Sequence, residues 1–132
     1  MIHTAFIAHL EGAGLAAPVK NAFTTEPVEN YDEDFPVVMV FPSSETFGES
    51  GYDNVTIQEQ VAEVICMVGC ELTDLEDRVR ELRAAAVGWK HPNANGQEWD
   101  AMEAGGGELI GLSGKYIWWR ETFTARTQFR QT

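Results

Sequence analysis

Three histidines and two cysteines are the side chains best suited to catalysis or metal binding, and their spacing keeps them apart. His3 and His9 stand six residues apart in a segment with helical periodicity, which places them on different faces, and His91 follows Gly88 in a loop. No His-x-x-x-His, Cys-x-x-Cys or carboxylate–histidine cluster offers three ligands, so no zinc site is expected. Asp32-x-Asp34 begins like a calcium loop but lacks the glycine and the closing glutamate such a loop needs. Cys66 and Cys70 fall on a segment with strand character, which separates their Cα atoms by about 13 Å, beyond the ~7 Å a disulfide tolerates. They read as small buried hydrophobes. Gly105-Gly106-Gly107 has neither the Lys-Ser/Thr of a phosphate loop nor a following helix, and is expected to be a flexible lead-in to a hairpin. No Gly-x-Ser-x-Gly elbow occurs. With no nucleophile–base pair in view, the sequence predicts a protein that is not an enzyme and carries neither cofactor nor metal.

The chain that would hold these residues has 132 residues, enough for a single domain over 1–132. Its net charge of −12 excludes a phosphate-gripping nucleic-acid binder acting through overall charge. No apolar run approaches the ~20 residues that span a bilayer, so no membrane partner is expected. The start Met-Ile-His-Thr lacks the basic and apolar parts of a secretion signal, which predicts an intracellular product. The charge is lopsided. Residues 1–77 hold fifteen acids and a single base, Lys20, a net of −14, while residues 78–132 hold eight bases and six acids, a net of +2. Unlike halves allow one copy to pair with the other half of its neighbour.

Periodicity supplies the elements. Ile2, Phe6, Leu10 and Ala13 mark one face of a helix over 2–13. A short edge strand around 16–24 precedes an acidic loop with Glu26, Glu29, Asp32, Glu33 and Asp34. The run Val37 to Phe41, fenced by Pro36 and Pro42, predicts a strand buried on both faces. Residues 43–54 have turn chemistry and read as a loop. A strand of ~15 residues from Val55 to about Gly69 exceeds the usual length. It must bend, or its polar front must project as an arm. Thr73 with Glu76 makes a capping box for a second helix, with Asp74–Arg78 and Glu76–Arg80 pairs, stopped at Gly88. A hairpin then runs from Glu108 to Leu112 and from Tyr116 to Arg130. Its second strand has an apolar face of Ile117, Trp119, Phe123, Ala125 and Phe129 and a polar one with Arg120, Thr122, Thr124, Arg126, Gln128 and Arg130. Trp118, beside Arg120 on the polar face, is covered by a loop or marks a contact with another chain. The order predicts an α+β fold: a mostly antiparallel β-sheet with two α-helices packed on one face, plus an extended hairpin or arm.

The blocks in order are an amino-terminal amphipathic helix, an apolar strand ending Val40-Phe41-Pro42, Val55-Thr56-Ile57-Gln58-Glu59-Gln60-Val61, a helix with Leu82-Arg83 closing on Gly88-Trp89-x-x-Pro92, then Gly106-Gly107-Glu108-Leu109 and Ile117-Trp118-Trp119-Arg120-Glu121-Thr122-Phe123. This succession resembles the tail terminator proteins of long-tailed bacteriophages over about residues 1–125. The resemblance implies a structural virion protein forming a hexameric ring. Such a ring caps the head-proximal end of the tail tube, stops its polymerisation and joins the tail to the head connector. The implied partners are further copies of the chain, the tail tube protein and the connector protein, with DNA present only in passage. The implied location is the virion tail, reached from the host cytoplasm during assembly. A ring that passes DNA should repel phosphate, so Glu26, Glu29, Asp32, Glu33 and Asp34, or the acids of 45–53, are candidate channel-lining residues. Tyr52, Val55 and Ile57 of the expected arm, with Trp118, Arg120 and Arg126, are candidate contacts to a neighbouring subunit or the tube. Three alternatives remain open on sequence: a neck or head-completion ring protein, an acidic DNA-mimic inhibitor of a nucleic-acid-binding protein, and a small-molecule enzyme for which no residues can be named.

Overall fold

A computed structural model describes residues 2–22, 34–47, 56–92 and 97–131. The chain runs α1 (Ile2–Gly12), β1 (Val19–Asn21), β2 (Val37–Phe47), β3 (Thr56–Glu71), a 3₁₀ turn (Leu72–Asp74), α2 (Leu75–Ala86), β4 (Glu103–Ser113) and β5 (Tyr116–Gln131). The strands form one five-stranded sheet in the order β1-β2-β3-β5-β4. Only the β1–β2 pair is parallel; the other three pairs are antiparallel. This is the expected α+β architecture. Among the described residues no helix is long and apolar enough to cross a membrane.

Both helices lie on one sheet face because alternate strand residues are apolar there. Val38 and Val40 of β2, Ala62, Val64, Cys66, Val68 and Cys70 of β3, and Ile117, Phe123 and Ala125 of β5 are buried together with Phe6 and Leu10 of α1 and Leu82 and Ala86 of α2. Phe6 packs edge-on to Phe123 with centroids 5.9 Å apart. Ala13, the last member of the predicted helical face, is exposed beyond the end of α1. The expected strand ending at Pro42 and the loop expected from residue 43 need correction over 43–47, while 48–54 lie outside the described residues. β2 continues to Phe47, its backbone paired to Gln60–Glu63 beyond a bulge between Pro42 and Ser44. A proline at a bulge spares the ladder, and the neighbouring strand supplies the order that the polar sequence lacks.

The expected capping box also differs. Thr73 lies inside the 3₁₀ turn, Asp74 is the residue before α2, and no side-chain cap bond forms. Glu76 and Asp77 both meet Arg80, at 3.0 and 3.3 Å, whereas Arg78 pairs with Glu81 at 3.4 Å and not with Asp74. Gly88 ends the helix with φ of 90°, a conformation that favours glycine. The connection that follows is clamped by stacked rings: His9 on Trp89, Trp89 on His91, and His91 on Trp99, with centroids 5.3, 5.9 and 5.6 Å apart. His9 is further held at 2.7 Å from the Ala85 carbonyl oxygen by its Nε2. His9 and His91 are thus packing elements between α1 and the 87–102 connection.

The two cysteines are free and buried on the helix face. Burial pushes the Cys70 thiol up to about 11 and the Cys66 thiol higher still. With both thiols held protonated by burial at pH 8, neither should react with a thiol reagent until the protein unfolds. Because both values are raised in the fold, their stabilising contribution is complete below the unfolded thiol range and is lost as pH climbs toward the folded values. Thiol titration with and without denaturant measures this; rapid reaction of the native protein at pH 8 would contradict it.

Candidate assembly surface

The sheet divides the sequence by charge. β1, β2 and β3 come from the acid-rich half, and β5 and β4 from the half with net +2, so the order β1-β2-β3-β5-β4 places one half at each edge. The stretch with Glu26, Glu29, Asp32 and Glu33 joins β1 to β2 and lies outside the described residues, as do Tyr52 and Val55. Asp34 is half-buried at the start of the segment leading into β2.

Six of the eight bases in the second half are paired within the chain. Lys115 pairs with Glu71 at 2.9 Å, Arg126 with Glu59 at 2.6 Å, and Arg120 with Glu108 on the adjoining strand. Arg120 and Arg126, both candidate contacts, therefore cross-link β5 to its two neighbours on the face that carries no helix. Trp118 shares this face, half-buried, with the Phe35 ring edge-on at 4.8 Å. Phe35 and Trp118 meet above Gly69, where an added Cβ would come within 2.6 Å of the Phe35 ring. Phe35 thus covers part of Trp118, which stays half-buried.

The front of the expected arm is not a lone strand. Ile57, on the front of β3, pairs with Arg130, and the whole of Thr56–Gln60 pairs with Thr127–Gln131. Its backbone on that side is committed to its own sheet. The pairing is invisible to local sequence patterns because it depends on how far the final strand runs.

The Gly105-Gly106-Gly107 run is not a flexible lead-in but part of β4, and it needs glycine for a local reason. Gly106 has φ of 118° beside a bulge, and a Cβ on Gly107 would come within 2.6 Å of Trp119 Nε1 and closer still to the Glu121 carboxylate. Glu121 is fully buried on the helix face. Arg83 of α2 grips it with Nε at 2.9 Å and Nη2 at 2.7 Å, and the Trp119 indole N–H donates to it at 2.6 Å. The hydrogen bond to Glu121 raises the Arg83 pKa despite partial burial. The motif and periodicity reading misses this cluster. Its signal is a glutamate at the odd-numbered position between Trp119 and Phe123 on an apolar face, with an arginine on the helix above.

Beside this cluster an open groove of about 640 Å³ runs along α2, lined by Leu75, Val79, Arg83, Ala84, Val87 and Trp119 among others. Next to Trp119 in the sheet lies β4, the edge strand, on which every residue but Gly111 is exposed. Leu109, Ile110 and Leu112 are 51, 48 and 60 % exposed there. The stretch Leu109-Ile110-Gly111-Leu112 has no charge or proline of its own, though Glu108 precedes it and a bulge lies between Leu109 and Gly111. Among the described residues no group of three His, Cys, Asp or Glu side chains could hold a metal ion. No protein-family model matches the sequence, and a search of curated proteins found no match.

Proposed function

We propose that the protein is a structural virion component that assembles into a six-membered ring, caps the head-proximal end of a phage tail tube, and joins the tail to the head connector. One observation carries this reading beyond the resemblance: the topology segregates the acid-rich and near-neutral halves to opposite edges of a single sheet, both open among the described residues. Head-to-tail closure needs two different surfaces on every copy, and these edges are two different surfaces. Six copies with charge −12 each also make a conduit that repels DNA rather than retaining it. In this reading the acids joining β1 to β2 face or flank the bore.

Deletion of the gene in its phage is the test, read by electron microscopy of tails. Loss of a terminator should give tubes several times the normal length that fail to join heads. Tails of normal length without heads would overturn this reading in favour of a neck protein.

A further inference from the structure

We propose that β4 is a subunit joint: its outer edge, with Leu109, Ile110 and Leu112, adds to the β1 edge of a second copy of this chain, so that the sheet continues from subunit to subunit. The proposal rests on the ring reading for what the copies build, and on three features of the fold for the joint itself.

The first feature is exposure. Among the described residues, this 11-residue outer strand has a row of backbone donors and acceptors without strand partners, and the three aliphatic side chains on it are about half exposed or more. Addition of the three-residue β1 would pair part of this edge, at the end with Leu109, Ile110 and Leu112, and cover those side chains.

The second is direction. β1 runs parallel to β2, and each step from β2 through β3 and β5 to β4 reverses the chain, so β4 is antiparallel to β1. Rotation about an axis along the strands preserves their direction in every copy. β4 of one copy then meets β1 of the next in the antiparallel sense that dominates within the sheet. The donors are suitably aimed: Val38 N–H donates to the Pro18 carbonyl at 2.8 Å and Ala22 N–H to the Val40 carbonyl at 3.1 Å. In a strand these even-numbered groups face β2, so the Val19 backbone faces outward.

The third is charge. Joining two β1 edges would bring two acid-rich halves together, each with net −14 over residues 1–77. At the edges themselves β1 carries Lys20 whereas β4 carries Glu103 and Glu108 and no base, so a β1–β4 joint sets a base against acids and a β4–β4 joint sets acids against acids. A joint made through β4 alone would close as a dimer and leave the β1 edge open.

The test uses complementary damage to the two edges, read by light scattering on the full chain, with circular dichroism and a thermal melt to confirm folding. Ile110→Lys/Leu112→Lys breaks the β4 edge, and Val19→Pro removes an outward N–H from β1. Wild type should assemble, and each variant alone should lose every species above monomer. An equal mixture should recover a dimer and nothing larger, because one intact joint remains per pair. If Val19→Pro fails to fold, a thiol-reactive cross-linker on a chain with Leu112→Cys and Lys20→Cys replaces it. A ladder beyond dimer supports the joint, and dimers from Leu112→Cys alone overturn it. Wild-type oligomers that survive the β4 substitutions, or a wild type that stays monomeric, also overturn it. Overlong tails on gene deletion would still support the capping role, so the two proposals fail separately.

Discussion

Arg83→Ala should lower the free energy of unfolding by about 3 kcal/mol, a large share of what holds a domain of this size together. Glu121 has no exposed surface, and its carboxylate is satisfied by two Arg83 nitrogens and the Trp119 indole. Removing Arg83 leaves a desolvated charge with a single neutral donor, and breaking a buried pair from one side costs ~3–5 kcal/mol. The Arg83 side chain is 46 % exposed, so water can partly replace it and the lower end applies. The double variant Arg83→Met/Glu121→Leu should cost markedly less than Arg83→Ala, because it removes the charge together with its partner. Urea unfolding of the three proteins measures both differences. A loss under about 1 kcal/mol for Arg83→Ala would mean that the carboxylate is not the anchor of this face.

Gly107→Ala should cost about 2–3 kcal/mol through a single methyl group. The added carbon has nowhere to go: it meets the Trp119 indole nitrogen at 2.6 Å and the Glu121 carboxylate, and Arg83 keeps that carboxylate from retreating. Among the described residues β4 pairs only with β5, so the strain should also appear as faster amide exchange along Glu103–Ser113. Gly111→Ala is the control. A Cβ there meets nothing within 4 Å, so its effect should be near zero or slightly stabilising. Equal losses at the two glycines would point to generic edge-strand entropy rather than to the Glu121 cluster.

Both effects act on the strand proposed to join subunits. Arg83, Glu121, Trp119 and Gly107 lock β4 against β5 and α2, and a locked edge costs less entropy to extend than a loose one. Gly107→Ala should therefore weaken assembly as well as stability, whereas Ile110→Lys/Leu112→Lys should weaken assembly alone.

Local patterns are legible in the amino-acid order itself. Ile2, Phe6 and Leu10 face the core because a helix turns every 3.6 residues, and Ile117, Phe123 and Ala125 do so because a strand alternates. Gly88 ends α2 because a positive φ suits glycine. These rules involve only neighbours in the chain, so composition and spacing determined the helices, the long strands, the α+β class and the lopsided charge.

Tertiary structure decided whatever depends on distant residues. β2 passes Pro42 because residues 60–63 hold it, and the front of β3 is laddered to residues 127–131 rather than standing alone. Three consecutive glycines become a strand because one of them lies under a carboxylate that an arginine 38 residues earlier carries into the core. Burial of a charge is favourable only when its partner arrives, and that arrival is a property of the fold rather than of local spacing. The same holds for the charge halves. Their imbalance is written in the chain, but only the strand order turns it into two unlike edges.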